Sequence, residues 1–224
     1  MKKTILMSCC LALFSLISYA QGANSIDIAT EKLYMSSDVS RPVDAVGSPY
    51  VNKNFLPVRV KGYDGQIFTG RYNAYNGEME INLGTKIIAL DTSKDYQVMY
   101  TQNNKIYRTY NYSTPNGISK RGFLTVVNQN GDNALLKSEI IKYYDKVPAA
   151  TSYQSDKPAK FVQESDEYYI AKGKVITQLP TRKKDLLKAY ANDAKKIKSY
   201  LKENKISLKK EKDLIKLAGF ISTL

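Results

Sequence analysis

The sequence holds no histidine and no tryptophan, and its two cysteines, Cys9 and Cys10, both lie near its start. Triads built on Ser/His or Cys/His are thereby excluded, as are His/Cys zinc sites and a histidine general base. What remains is the chemistry of carboxylates, lysines and tyrosines, or a hard cation held by oxygen ligands. These absences turn the expectation towards binding or structure and away from an enzyme, with no catalytic residue, cofactor or metal assigned.

A long apolar run is also missing. Residues 5–17 form an apolar stretch, shorter than the roughly 20 residues that span a bilayer. Lys2 and Lys3 precede it, and Ser18-Tyr19-Ala20 places small residues where a signal peptidase reads. The pattern predicts a cleaved secretory signal over residues 1–20, with Gln21 as the mature N-terminus and no transmembrane segment after cleavage. Cleavage removes both thiols, so no disulfide is expected and stability must come from the core. Neither cysteine sits at the cleavage point, which argues against a lipid anchor. The expected location is periplasmic or extracellular.

Residues 21–47 show little periodicity and read as an extended lead-in that joins a sheet at 26–28. Residues 48–224 read as a single domain. From 48 to 179 the chain is a succession of short runs rich in Val, Ile, Tyr and Phe: 55–61, 66–75, 78–83, 86–90, 96–101, 105–112, 118–128, 134–144, 160–163, 168–171 and 174–179. Between them stand Asp64-Gly65, Asn76-Gly77, Asn103-Asn104, Asn116-Gly117, Asn130-Gly131 and Lys172-Gly173, dipeptides suited to the positive φ of tight hairpins. The pattern predicts consecutive antiparallel strands. In Glu78-Met79-Glu80-Ile81-Asn82-Leu83 the alternation puts Met79, Ile81 and Leu83 on a core face and Glu78 and Glu80 on a wet one. So many strands with one wet face should curl.

After Pro180 the period changes to near 3.6. Leu187, Tyr190, Ala194, Ile197 and Leu201 share one stripe of a helix over 182–203, with Thr181 as N-cap and Asn204 as its stop. A second helix is predicted over 208–220, with Ser207 as N-cap and Leu214, Leu217, Ala218 and Ile221 inward. The fold class is α+β, mainly β: a curled antiparallel β-meander or incomplete barrel (48–179) with a C-terminal antiparallel helix pair (181–224).

The segments Leu179-Pro180-Thr181-Arg182-Lys183-Lys184-Asp185-Leu186-Leu187, Ile197-Lys198-Ser199-Tyr200-Leu201-Lys202-Glu203-Asn204 and Glu211-Lys212-Asp213-Leu214-Ile215-Lys216-Leu217, with Arg71-Tyr72-Asn73 and Met79-Glu80-Ile81 upstream, carry a resemblance. They resemble a family of uncharacterised secreted proteins of Gram-negative bacteria, over residues 48 to the end. The resemblance implies a shared fold, and it implies no activity, substrate or catalytic residue.

The net charge is +13, and without Lys2 and Lys3 it is +11. Residues 181–224 hold 13 Lys or Arg against 5 Asp or Glu, so +8 lies at this end. One reading is docking on an anionic surface such as acidic lipid, with Lys195 and Lys198 as contacts. The plainer reading is a solvated face over an amphipathic pair. Specific nucleic-acid binding is not expected of an exported chain. Tyr107, Tyr110 and Tyr112 stand out among 18 tyrosines: they suit a ligand platform, and equally half-wet strand positions. Glu78 and Glu80, roughly 7 Å apart by strand geometry, have a spacing open to glycosidase carboxylates but also the ordinary solvent pattern. Ser207-Leu208-Lys209-Lys210 matches Ser-x-x-Lys without its partner motifs. Asn128, Asn130, Asp132 and Asn133 around Gly131 read as a hairpin rather than a calcium loop. The expectation is an exported non-enzymatic protein that binds an envelope protein, a glycan or an anionic lipid surface. The alternative is a carboxylate-based hydrolase acting on envelope glycan or peptide.

Overall fold

The computed structural model describes residues 32–33, 45–151, 153 and 155–224. The signal segment, the 26–28 pairing and most of the lead-in lie outside the described residues. Among the described residues eleven strands form one antiparallel sheet: β1 (Lys32–Leu33), β2 (Leu56–Val60), β3 (Phe68–Asn73), β4 (Glu78–Asn82), β5 (Ile87–Ala89), β6 (Gln97–Tyr100), β7 (Ile106–Ser113), β8 (Ser119–Asn130), β9 (Asn133–Ser138), β12 (Glu167–Lys172) and β13 (Val175–Leu179), in the spatial order β1-β5-β4-β3-β2-β6-β7-β8-β9-β12-β13. A separate ribbon pairs β10 (Ile141–Tyr144) with β11 (Lys160–Gln163). Three helices follow: α1 (Lys183–Ala189), α2 (Ala194–Glu203) and α3 (Glu211–Ser222).

The turn chemistry is what cuts the chain into these lengths. The second residue of each of the six dipeptides takes positive φ: Gly65, Gly77, Asn104, Gly117, Gly131 and Gly173. The Gly131-Asp132 turn joins β8 directly to β9, whose ends Asn130 and Asn133 face each other. Spatial order departs from chain order at three places: β1 pairs with β5, β6 with β2, and β12 with β9, the β10–β11 ribbon lying outside the sheet. β6 pairs with β2 rather than β5, so the connector between β5 and β6 crosses the open side of the curl. There it is tied to the next strands: the Thr109 hydroxyl donates to the Lys94 carbonyl at 3.0 Å and the Arg121 guanidinium to the Thr92 carbonyl at 2.7 Å.

The sheet curls but does not close, and its two halves bend towards opposite faces. Successive residues point to opposite faces of a strand, and Phe123 and Leu124 belong to different cores. The first core gathers Val58, Val60, Tyr72, Met79, Ile81, Ile88, Val98, Tyr107 and Phe123, where β4 comes against β8. The second, on the other face, gathers Tyr112, Leu124, Leu136, Tyr169 and Ala171, where β13 comes against β7. The helices cover the end of the sheet over Leu135 and Ile170 with Leu186, Ile197, Leu201, Leu214, Leu217 and Ile221.

Two local expectations are corrected. Glu80 does not face water: its relative exposure is 0 %. Its strand face is closed over by Arg71, whose Nε donates to Glu80 Oε2 at 2.7 Å and whose guanidinium is sandwiched against the rings of Tyr50 and Phe55. The segment before β2 thus covers the face that alternation assigned to solvent. The expected 134–144 strand is broken at Glu139-Ile140, where the chain leaves the main sheet for the ribbon.

The first predicted helix divides at Tyr190 (φ −114°, ψ 49°), with a 3-10 turn over Ala191–Asp193 before α2. Asn192 and Asp193, side chains that compete with helical backbone bonds, stand at this break. Leu186 rather than Leu187 is the fully buried residue of α1. The helices start at Arg182 and Lys210 without side-chain caps, so Thr181 and Ser207 are not the N-caps. Instead Asp213 accepts the Ser207 amide at 3.1 Å. At the end of α2, Lys205 takes φ 49° while the Ile206 amide reaches the Leu201 carbonyl at 3.0 Å and the Lys205 amide reaches that of Lys202 at 3.3 Å, the bond pattern of a Schellman turn. That turn folds α3 back on α2, and Tyr200 stacks on Phe220 at 4.1 Å between centroids.

Leu201 is 7 % exposed within the helix–sheet core. Leu201→Ala is expected to cost about 2–5 kcal/mol in chemical denaturation through lost burial and a residual cavity. Lys195→Gln and Lys198→Gln, at exposed positions of α2, are expected to change stability by no more than about 0.5 kcal/mol each. A neutral Leu201→Ala would show that the helices are an appendage to the sheet.

Candidate functional site

The chain's departure from β9 opens a cleft of about 560 Å³. The end of β3 and its turn supply Tyr72 and Tyr75, β7 supplies Tyr112, β8 supplies Lys120 and Phe123, the β9–β10 passage supplies Ser138, Glu139, Lys142 and Tyr143, and β12 supplies Glu167. A hollow of about 730 Å³ lies beside β6 and β7, lined by Lys61, Asp64, Asp95, Gln97 and Arg108. It has no buried carboxylate, and Lys61, Asp64 and Asp95 are exposed, so the first cleft is the better organised site.

Its floor is built on Glu139, which is 8 % exposed. Lys105 Nζ donates to Oε1 at 2.7 Å and to Oε2 at 2.9 Å, the Tyr107 hydroxyl makes a short bond to Oε2, and Thr125 Oγ1 donates to Oε2 at 3.3 Å. Burial alone would raise the pKa of this carboxyl. The charge and hydrogen bonds of Lys105, the Tyr107 hydroxyl and the charge of Lys137 outweigh burial and hold it below the ordinary value. Glu139 is therefore a carboxylate at neutral pH.

The phenols around it move the other way. Burial first, then neighbouring Tyr112 and the Glu139 charge, push Tyr72 far above the usual tyrosine range. Tyr107 rises through burial and its position beside Glu139. Tyr112 rises through burial, partly offset by its hydrogen bond to Ser138. These hydroxyls stay protonated and serve as hydrogen-bonding groups. Tyr72 reaches the Phe123 carbonyl at 3.5 Å, and the Tyr169 hydroxyl donates to Glu167 at 2.9 Å.

A polar seam continues from the floor towards the helices. Lys137 donates to Glu211 of α3 at 2.8 Å and stands 3.7 Å from Asp166. The Tyr168 hydroxyl donates to the same Glu211 at 3.2 Å. Burial raises the pKa of Asp166; the nearby Lys137 offsets this in part, while Glu139 and Glu211 add to it.

The residues singled out in the sequence are dispersed. Tyr107 and Tyr112 are 2 % and 7 % exposed and lie in different cores on opposite faces. Tyr112 lines the cleft, Tyr107 holds the carboxylate beneath it, and Tyr110 lies on the Tyr112 side, where Arg108 donates to its hydroxyl at 3.2 Å. They do not make one exposed platform. Lys195 and Lys198 are exposed on α2 and do not line the cleft. Glu78 and Glu80 are separated from it, and Asn130 and Asn133 close the β8–β9 hairpin. Among the described residues no three Asp, Glu, His or Cys side chains are grouped to hold a metal ion, and no helix is long and apolar enough to cross a membrane. Glu139 was missed, although it shares strand parity with Leu135 and Ile141, both buried; an acid in register with core residues was the available signal. No family model matches the chain, and no curated protein and no solved structure is detectably similar to it.

Glu139→Gln is expected to cost about 1.5–3 kcal/mol near neutral pH, because Lys105 is left in the seam without its anion. The sign with pH follows from the lowered pKa. The contribution is fully present above the ordinary carboxyl value and is lost as pH falls through the folded one. Melting curves of wild type and variant should therefore differ by a constant amount at neutral pH and converge in strong acid. A gap that widens on acidification would contradict the assignment.

Proposed function

We propose that the protein is an exported, non-enzymatic binding protein whose cleft between Tyr72, Tyr112 and Tyr143 seats a component of the cell envelope. The carrying observation is the geometry of the floor: the buried Glu139 accepts two bonds from Lys105 and one each from Tyr107 and Thr125. The accompanying shifts run the same way, Glu139 lowered and the phenols raised, each away from the neutral range in which a general acid or base works best. Four donated bonds leave Glu139 committed to its own neighbours. Export rests on the charged and apolar pattern of residues 1–20. A periplasmic or extracellular location follows from the same reading.

A second reading has one observation in its favour: Glu139 and Glu167 both line the cleft, and two acids in one cavity are what a carboxylate hydrolase of envelope glycan or peptide requires. The two readings separate in one assay. Mature protein is incubated with purified envelope glycan and peptide, and both retention and the release of reducing ends or amines are measured. The binding reading expects retention, weakened by Tyr112→Ala, without release. Release that Glu167→Gln abolishes would establish the hydrolase instead.

A further inference from the structure

We propose that the three-helix end of the molecule is a docking surface for anionic lipid headgroups, distinct from the cleft and independent of what the cleft binds. All 13 basic side chains between residues 182 and 216 are exposed. The five acids of the same region do not balance them at the surface, because two are engaged away from the lysines: Asp213 is buried on the Ser207 amide at 3.1 Å, and Glu211 is held by Lys137 and Tyr168 of the sheet. Asp193 pairs with Lys196 at 2.8 Å within the region, which leaves the net charge unchanged. Only Asp185 and Glu203 remain exposed without an ion-pair partner among the described residues. The outward field of the helices is thus more basic than composition alone indicates.

The character of this field selects the partner. Of the 13 cations, 12 are lysine and one, Arg182, is arginine. Lysine is a compact, strongly hydrated charge without the planar fork that reads phosphate or carboxylate geometry in a fixed site. The helices show no exposed large hydrophobic side chain, and Leu224, just past α3 and 39 % exposed, is the sole one in this region. A stable protein interface would present aromatic or apolar anchors here. A surface rich in lysine and without exposed apolar anchors suits a fluid layer of headgroups that supplies charge density and demands no fixed geometry. The apolar faces of α2 and α3 are already spent on the core, so adhesion is by charge, without insertion.

The test is co-sedimentation of the mature protein with vesicles of equal parts phosphatidylglycerol and phosphatidylcholine, and with phosphatidylcholine alone. The expected result is partition onto the anionic vesicles at low salt, loss at about 0.5 M salt, where screening is short-ranged, and no partition onto the neutral ones. Replacing Lys184, Lys188, Lys195 and Lys198 together by Gln should weaken partition by about tenfold or more. Replacing Lys53, Lys61, Lys157 and Lys160, also exposed but outside the helices, should change it by less than about threefold. Circular dichroism of both variants is the control for folding, with wild-type spectra expected. Equal loss from the two variants, adhesion to neutral vesicles, or tighter association with duplex DNA than with anionic vesicles at the same salt would each overturn the proposal. Because the cleft is untouched, failure here leaves the binding reading of the cleft standing.

Discussion

The buried carboxylate of Glu139 is the constraint around which the molecule is organised. It lies at the point where β9 ends and the chain turns out of the sheet, and its partners come from the start of β7 and from β8. An ionised carboxylate is too costly to bury alone, so the departing chain must be seated where Lys105, Tyr107 and Thr125 converge. That seat fixes the path of the next residues. Ile141 reaches the first core, Phe161 of the paired strand packs against it, and Tyr143, Tyr75 and Phe161 meet edge to face or tilted. The cleft is the space left between this ribbon and the sheet. Its existence follows from one charged residue that could not continue the strand.

The same polar seam explains how the sheet serves three apolar cores. Lys137, Asp166, Glu139 and Lys105 lie where the first core ends and the helix-covered one begins, so the two do not merge into one continuous apolar layer. Asp166 is the strained member: its carboxyl is raised by burial and by two neighbouring acids, with Lys137 as its counter-charge. Its ionisation works against the folded state at neutral pH. Glu139, with the opposite shift, works for it. The seam therefore holds one group that stabilises and one that opposes, bridged by Lys137 from the sheet to Glu211 of α3.

Much of the fold was legible because it is set by local rules. The second residue of each of the six turn dipeptides takes positive φ, and residues 160–163 form the strand expected of their short apolar run. What was not legible depends on distant residues. Glu80 follows an outward alternation, and only the return of Tyr50 and Phe55 over Arg71 turns that face inward. The run 134–144 has uniform strand character, and its break is imposed by partners on β7 and β8 rather than by a turn residue. Tyr107, Tyr110 and Tyr112 read as one cluster, yet strand parity divides them between opposite faces, and only curling in both directions buries both sets. The lysine field was visible as composition; that Glu211 and Asp213 are withdrawn from it required the helix–sheet contacts.

The central claim is that Glu139 is ionised and fully engaged beneath the cleft. It is tested most directly by following the side-chain carboxyl carbon of Glu139 by NMR through an acid titration. The account requires the carboxylate signal to persist below the pH at which an ordinary glutamate protonates, and to move upward in midpoint when Lys105 is replaced by Met. A midpoint above the ordinary glutamate value in the wild-type protein would contradict it, and would return Glu139 to the list of candidate acids.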